Sequence, residues 1–197
     1  MAITKIKTTS SFTNLTKYDS FLAGNNINDY ESIATVTVGS GGAASVTFSS
    51  IPATYTHLQI RAIARTNRAA ASDTIYWRFN SDSATNYTIH SLYGTGTSAL
   101  TDSGTNLNYG YYIGTTAASA TSGVFAVAVI DILDYKDTNK FKTVRTLHGK
   151  DVNGTGDIFL TSSLWRNTAA LSSMTLESQN AANISEYSSF ALYGIRG

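Results

Sequence analysis

The stretch GSGGAASVTFSSIPATYTHLQIRA, residues 39–62, decides the fold class. A glycine turn leads into a short alternation of apolar and polar residues, and a loop containing Pro52 separates it from a longer alternation. Strict alternation is typical of a β-strand with one buried face, and proline is excluded from central strands. The stretch therefore predicts two strands, each bounded by turns.

The same alternation continues on both sides of this stretch. IATVTV, residues 33–38, precedes the glycine turn, and we predict that it forms a hairpin with ASVTF, residues 44–48. In TIYWRFN, residues 74–80, alternation places Trp77 and Phe79 in the core. VFAVAVI, residues 124–130, is apolar on both faces, which predicts a central strand that is buried on both sides.

Ten or eleven short strands follow one another at regular spacing without a long helix. This pattern predicts an all-β fold, an antiparallel β-sandwich of jelly-roll type that covers residues 33–197. We expect a loop over the glycine- and threonine-rich residues 94–105. Residues 1–32 are polar and lack sustained periodicity, so we predict an extended N-terminal arm before the sandwich.

The arm carries scattered apolar side chains that could anchor it to another protein. The alternative is that the arm folds back on its own domain. The predicted anchors are Phe12, Leu15, Tyr18, Phe21 and Leu22.

The composition excludes several classes of function. Charged residues make up 14% of the chain, the net charge is +1 and there are no cysteines. Disulfides and thiolate metal sites are therefore excluded, and electrostatic capture of nucleic acid is not expected. The longest apolar run, residues 124–130, is too short to span a membrane as a helix. The 28 threonines and 24 serines suit a protein that is crowded against identical copies or contacts sugars, or simply an all-β domain.

No sequence motif indicates an enzyme or a cofactor. Asp131 and Asp134 are three residues apart on a predicted strand, so they point to opposite faces and cannot form a catalytic pair through local spacing. We expect the three histidines to lie at the surface. Asp151, Asn153 and Asp157 are weak calcium candidates, since they place oxygen ligands along a glycine-bent loop that is equally typical of an ordinary hairpin.

Tyrosine is frequent, with 12 residues in the chain. Tyr93, Tyr109, Tyr111 and Tyr112 are predicted to lie near one sheet edge. A tyrosine combines a flat apolar ring with a hydroxyl group, which suits glycan binding or a protein interface. The alternative is a partly buried sheet face.

Several stretches together resemble small β-rich virion proteins of tailed bacteriophages. They are SFTNLTKYDSFLAGN at residues 11–25, residues 30–61 from YESIATVTV to THLQIR, SLWR at 163–166 and FALYGI at 190–195. Proteins of this kind include capsid decoration or cement proteins, head fibres and tail-fibre modules. The resemblance implies self-assembly, often as a homotrimer, attachment through an N-terminal segment, and a location in the virion after assembly in the host cytoplasm.

Resemblance and residue pattern lead to the same expectation. The chain is expected to be a non-enzymatic virion structural protein that binds other capsid or tail proteins and itself, with no nucleic acid, membrane or cofactor partner. The alternative function is a receptor-binding or carbohydrate-binding module of a phage tail fibre that contacts a host-surface glycan.

Overall fold

The computed structural model describes residues 29–197 except Asn153, and only the backbone of Tyr112. Within this part the chain forms twelve β-strands. In chain order they are β1 Tyr30–Thr37, β2 Ser45–Phe48, β3 His57–Ala64, β4 Ser72–Phe79, β5 Tyr87–Gly94, β6 Ala99–Leu107, β7 Gly110–Thr116, β8 Ala126–Ile132, β9 Lys142–Asp151, β10 Gly156–Trp165, β11 Met174–Ser178 and β12 Ser189–Ile195.

The strands form two antiparallel sheets. The larger has the order β1-β12-β3-β8-β9-β10-β5-β6, and the smaller has the order β2-β11-β4-β7. The first four strands of the larger sheet and all four of the smaller have the order of an eight-stranded jelly roll, in which the chain passes repeatedly from one sheet to the other. Strands β9, β10, β5 and β6, which we call the extension, widen the larger sheet beyond β8. The predicted antiparallel sandwich of jelly-roll type is thereby confirmed.

The core lies between the two sheets and follows the predicted alternation. Leu58 and Ile60 on β3 are fully buried, as are Trp77 and Phe79 on β4. The rings of Trp77 and Phe79 stack with centroids 4.3 Å apart, and Trp165 from β10 meets Phe79 edge to face at 5.5 Å. Large aromatic side chains from both sheets therefore fill the centre of the sandwich.

The hairpin predicted between residues 33–38 and 44–48 is wrong. β1 pairs with β12 in the larger sheet, whereas β2 pairs with β11 in the smaller. Gly41 and Gly42 adopt φ values of +90° and +77° as the chain crosses between the sheets. A Cβ at Gly42 would lie 2.7 Å from the carbonyl oxygen of Ile184, so the crossing needs glycine there. Alternation reveals the strands on either side of a turn but does not show whether they pair.

Two predicted boundaries also differ from the structure. β6 begins at Ala99, so most of the predicted 94–105 loop is strand. Its sequence lacks alternation, and pairing with β5 holds it in the sheet. β1 begins at Tyr30, which pairs with Ile195, so residues 30–32 belong to the sandwich rather than to the arm. The five predicted anchor residues of the arm lie outside the described residues.

Candidate functional site

The outer face of the larger sheet carries a continuous set of exposed apolar side chains, which we call the apolar stripe. In each of six members, between 47% and 59% of the residue surface is exposed, and Val129 is half-buried. The members are Ile63, Leu92, Val127, Val129, Leu147, Ile158 and Leu160.

Strand register makes the stripe continuous. Val129 lies opposite Leu147, Leu147 opposite Leu160, and Leu160 opposite Leu92, so one row crosses β8, β9, β10 and β5. Side chains that lie directly opposite each other on one face of a sheet are close enough to be in contact. The stripe thus spans the junction between the jelly roll and its extension.

A second row runs beside the first and contains a dip. Ile63 lies opposite Val127, Val127 opposite Gly149, and Gly149 opposite Ile158. Gly149 has no side chain, and the face has a depression here that is lined by Val127, Gly149 and Ile158. Another surface could place a side chain in this depression.

The exposure of this face corrects one prediction. β8 is central in the larger sheet, as expected, but Val127 is 56% exposed rather than buried on both sides. Within the described chain, the smaller sheet covers only the inner face of the larger one. The apolar run at 124–130 is the sequence signal for this surface, but the pattern alone predicts burial within one chain.

A polar border lies beside the stripe. The next row contains Gln59, Asp131, Arg145, Ser162 and His90 in cross-strand register. The side-chain amide of Gln59 donates a hydrogen bond of 2.8 Å to Asp131. An apolar centre beside a polar rim is the usual arrangement of a protein interface.

An aromatic pair at the β1 edge ends this border and was not anticipated from the sequence. Tyr30 and Tyr193 stack with centroids 4.7 Å apart. The guanidinium carbon of Arg61 lies 5.5 Å and 5.8 Å from the two ring centroids, respectively. The Tyr30 hydroxyl donates to Gln59 at 2.8 Å. Only the sheet topology could reveal this pair, since its members come from opposite ends of the described chain.

The predicted tyrosines lie in different parts of the sandwich. Tyr109 stacks on Tyr111 at 6.0 Å and on Tyr76 of β4 at 4.7 Å. Tyr93 belongs to the other sheet and stacks on Phe159 at 4.5 Å. The side chain of Tyr112 lies outside the described residues. Burial, with a smaller contribution from the nearby charge of Asp102, raises the pKa of Tyr111 to about 12.

The surroundings of Tyr109 form a tyrosine platform, which we define as Tyr76, Arg78, Tyr109, Glu177 and Gln179. The Arg78 guanidinium carbon lies 4.6 Å from the Tyr76 centroid, and its Nη1 donates to Glu177. Gln179 donates to the Tyr109 hydroxyl at 3.0 Å. Half-buried aromatic rings beside amide and charged groups offer the combination that sugars bind.

His148 is buried, contrary to the surface position expected for the histidines. Its ring stacks on Phe159 at 4.6 Å, and its Nδ1 accepts a hydrogen bond of 3.3 Å from the amide of Gly114. Burial lowers the pKa of His148 to about 4, and the nearby charge of Lys150 acts in the same direction. The ring therefore stays neutral at neutral pH.

The calcium candidates frame the hairpin loop between β9 and β10. Asp151 ends β9, Asp157 lies in β10, and Asn153 is outside the described residues. The ammonium group of Lys150 donates to Asp157 and partly neutralises its charge. Among residues 29–152 and 154–197, no group of three histidine, aspartate or glutamate side chains is arranged to hold a metal ion. Asp151, Asn153 and Asp157 stay weak calcium candidates, and no metal site is predicted.

The comparisons do not identify a relative. The chain matches no protein-family model, no curated protein and no solved structure. In the part of the chain that the structure describes, no helix is long and apolar enough to cross a membrane.

Proposed function

We propose that this chain is a structural protein of a tailed-bacteriophage virion, a capsid decoration or cement protein or a fibre. Its sandwich associates with neighbouring proteins, and its N-terminal arm holds it on the capsid or tail. The proposal also includes a homotrimer that is assembled in the host cytoplasm and has no enzymatic activity.

The apolar stripe is the observation that supports this proposal best. An exposed apolar surface on a soluble protein is unfavourable in water, and a larger patch of this kind usually marks an interaction site. In a virion the stripe would be covered permanently by a neighbouring molecule. The stretches at residues 11–25, 30–61, 163–166 and 190–195, which resemble phage virion proteins, support the same conclusion.

The arm supplies the attachment in this proposal. Segments that become ordered on binding can wrap a large surface, at an entropic cost that their contacts must offset. The apolar side chains that would make those contacts include Phe12, Tyr18 and Phe21. The sandwich has its own core among residues 30–197, so the arm can be tested separately.

Deletion of residues 1–28 is expected to abolish incorporation of the chain into particles. We expect at least tenfold less of the shortened chain than of the full chain on purified particles of the phage that encodes it, because the anchoring contacts are lost. Quantitative mass spectrometry of the particles measures this, and a thermal melt shows that the shortened sandwich still folds. Equal incorporation of the two chains would contradict the anchoring role, and absence of the full chain from particles would contradict the proposed function.

A second candidate function, receptor binding through a host glycan, is favoured by the tyrosine platform. Tyr109→Ala is expected to weaken binding to a host-surface polysaccharide about tenfold or more, because a stacking ring and a hydroxyl partner of Gln179 are removed. Tyr187→Ala is the matched control, since Tyr187 is 72% exposed and lies outside the platform. Binding on a glycan array decides the matter: no binding by the wild type, or equal losses in both variants, excludes the platform as a glycan site.

A further inference from the structure

We infer that the apolar stripe is the interface between two copies of this chain, packed sheet face against sheet face. The inference rests on the proposed function and adds to it both the surface and the partner. Its two-fold packing gives a dimer in place of the homotrimer.

The first argument is size. Six half-exposed Val, Leu and Ile side chains present roughly 500 Å² of apolar surface, near the upper end of the largest patches found on monomers. A stable protein interface buries about 800 Å² per partner, so the stripe supplies more than half of that area and the polar border would have to supply the remaining ~300 Å². Two such faces can pack as the sheets of a sandwich do, about 10 Å apart with interdigitating side chains.

The second argument is complementarity of shape. The dip at Gly149 lies between the branched side chains of Val127 and Ile158. A second copy presents the same two ridges and the same dip. A two-fold rotation can therefore place a ridge of one copy into the dip of the other, as a self-complementary patch requires.

The third argument is complementarity of charge. Asp131 and Arg145 lie opposite each other in register on β8 and β9, at the polar border of the stripe. Across a two-fold axis, Arg145 of one copy can face Asp131 of the other. The net charge of +1 also means that copies repel one another only weakly.

The opposite surface of the sandwich explains why such an assembly would close. The outer face of the smaller sheet carries hydroxyl and charged residues, among them Thr47, Thr175, Arg78 and Glu177, together with the half-buried rings of the tyrosine platform. Thr47 and Thr175 lie opposite each other, with their hydroxyl oxygens 3.0 Å apart. Among the described residues, the exposed aliphatic side chains are thus concentrated on the stripe side of the sandwich, and a self-complementary patch on one side favours a closed oligomer over an open filament.

The test is a pair of charged substitutions in the full-length chain. Leu147→Lys with Leu160→Glu places opposite charges directly across β9 and β10, an arrangement that a sheet accepts at its surface but that a buried apolar interface does not. Thr47→Glu with Thr175→Lys is the matched control, because it introduces the same cross-strand pair on the smaller sheet. Circular dichroism melts verify that both variants fold.

Sedimentation equilibrium supplies the readout. We expect the wild type and the control to have twice the 21.1 kDa mass of one chain, and the stripe variant to associate at least 100-fold more weakly. A trimeric wild type would contradict the two-fold packing. A monomeric wild type, or a stripe variant with the wild-type mass, would overturn the inference. So would a wild-type oligomer that is lost on deletion of residues 1–28 but kept in the stripe variant, since the arm would then hold the copies together. A chain that associates through the stripe yet is absent from particles supports this inference and refutes the proposed function.

Discussion

Gly110→Ala is expected to lower the free energy of unfolding by about 3 kcal/mol or more, although it adds a single methyl group. Gly110 lies opposite Trp77 in the pairing of β7 with β4. A Cβ at residue 110 would lie 2.2 Å from two atoms of the Trp77 ring. The ring cannot move aside, because it is fully buried and stacks on Phe79. The added methyl group must therefore displace either a core aromatic ring or strand β7.

Gly39→Ala is the matched control for this substitution. A Cβ at Gly39 would meet no atom within 4 Å, and its φ does not lie in the left-handed region. We expect this change to alter stability by less than about 0.5 kcal/mol, as exposed substitutions usually do. Urea denaturation followed by tryptophan fluorescence measures both variants. A loss below 1 kcal/mol in Gly110→Ala would mean that Trp77 does not lie over Gly110.

The sequence predicts the strands of this fold better than their partners. Alternation correctly assigns Leu58, Ile60 and Trp77 to the core, because the two-residue period of a strand is a local property. Pairing depends on contacts distant in the chain, so local sequence at the Gly41–Gly42 turn predicts a hairpin although the turn joins the two sheets. β6 was missed for a related reason, since its pairing with β5 outweighs the low strand propensity of its residues.

The candidate site was visible in the sequence only in part. Val127 and Val129 belong to an apolar run that the sequence does show, but burial in a core and burial in an assembly produce the same run. The wider stripe forms only when β9, β10 and β5 are placed beside β8, which local sequence cannot indicate. The sequence shows that tyrosines are frequent, but which of them lie together depends on how the strands pair. Tyr109 stacks on Tyr76 of β4, whereas Tyr93 belongs to the other sheet.

His148 connects the stability of the extension to pH. It follows Leu147 of the stripe on β9 and stacks on Phe159, which precedes Leu160 on β10. The side chain thus holds the inner side of the two strands whose outer sides carry the centre of the stripe. Loss of this packing would loosen the surface that we assign to assembly.

Acidification from pH 6.5 to pH 4 is therefore expected to reduce the free energy of unfolding by about 3 kcal/mol through His148 alone. Above pH 6.5 the ring is neutral in both states and contributes nothing. Below it, the unfolded chain binds a proton, whereas the folded chain stays neutral down to a pKa of about 4, because the ring is buried. The unfolded state then holds more protons, so stability falls with pH at up to about 1.4 kcal/mol per unit.

Denaturant titrations between pH 7.5 and pH 4.5 measure this dependence against His148→Gln, whose side-chain oxygen can still accept the Gly114 hydrogen bond. The variant should be less stable than the wild type at neutral pH, and the difference should shrink steadily as the pH falls. Thr146→Val on the same strand is the control, since it replaces a buried hydroxyl that has no hydrogen-bond partner among the described residues and does not titrate. Thr146→Val should change the free energy of unfolding by the same amount at every pH, so its dependence on pH should match that of the wild type. If the free energy of unfolding depended on pH in the same way in the wild type and in His148→Gln, His148 would have the same pKa in the folded and unfolded chain. The extension would then not lose stability in acid through His148.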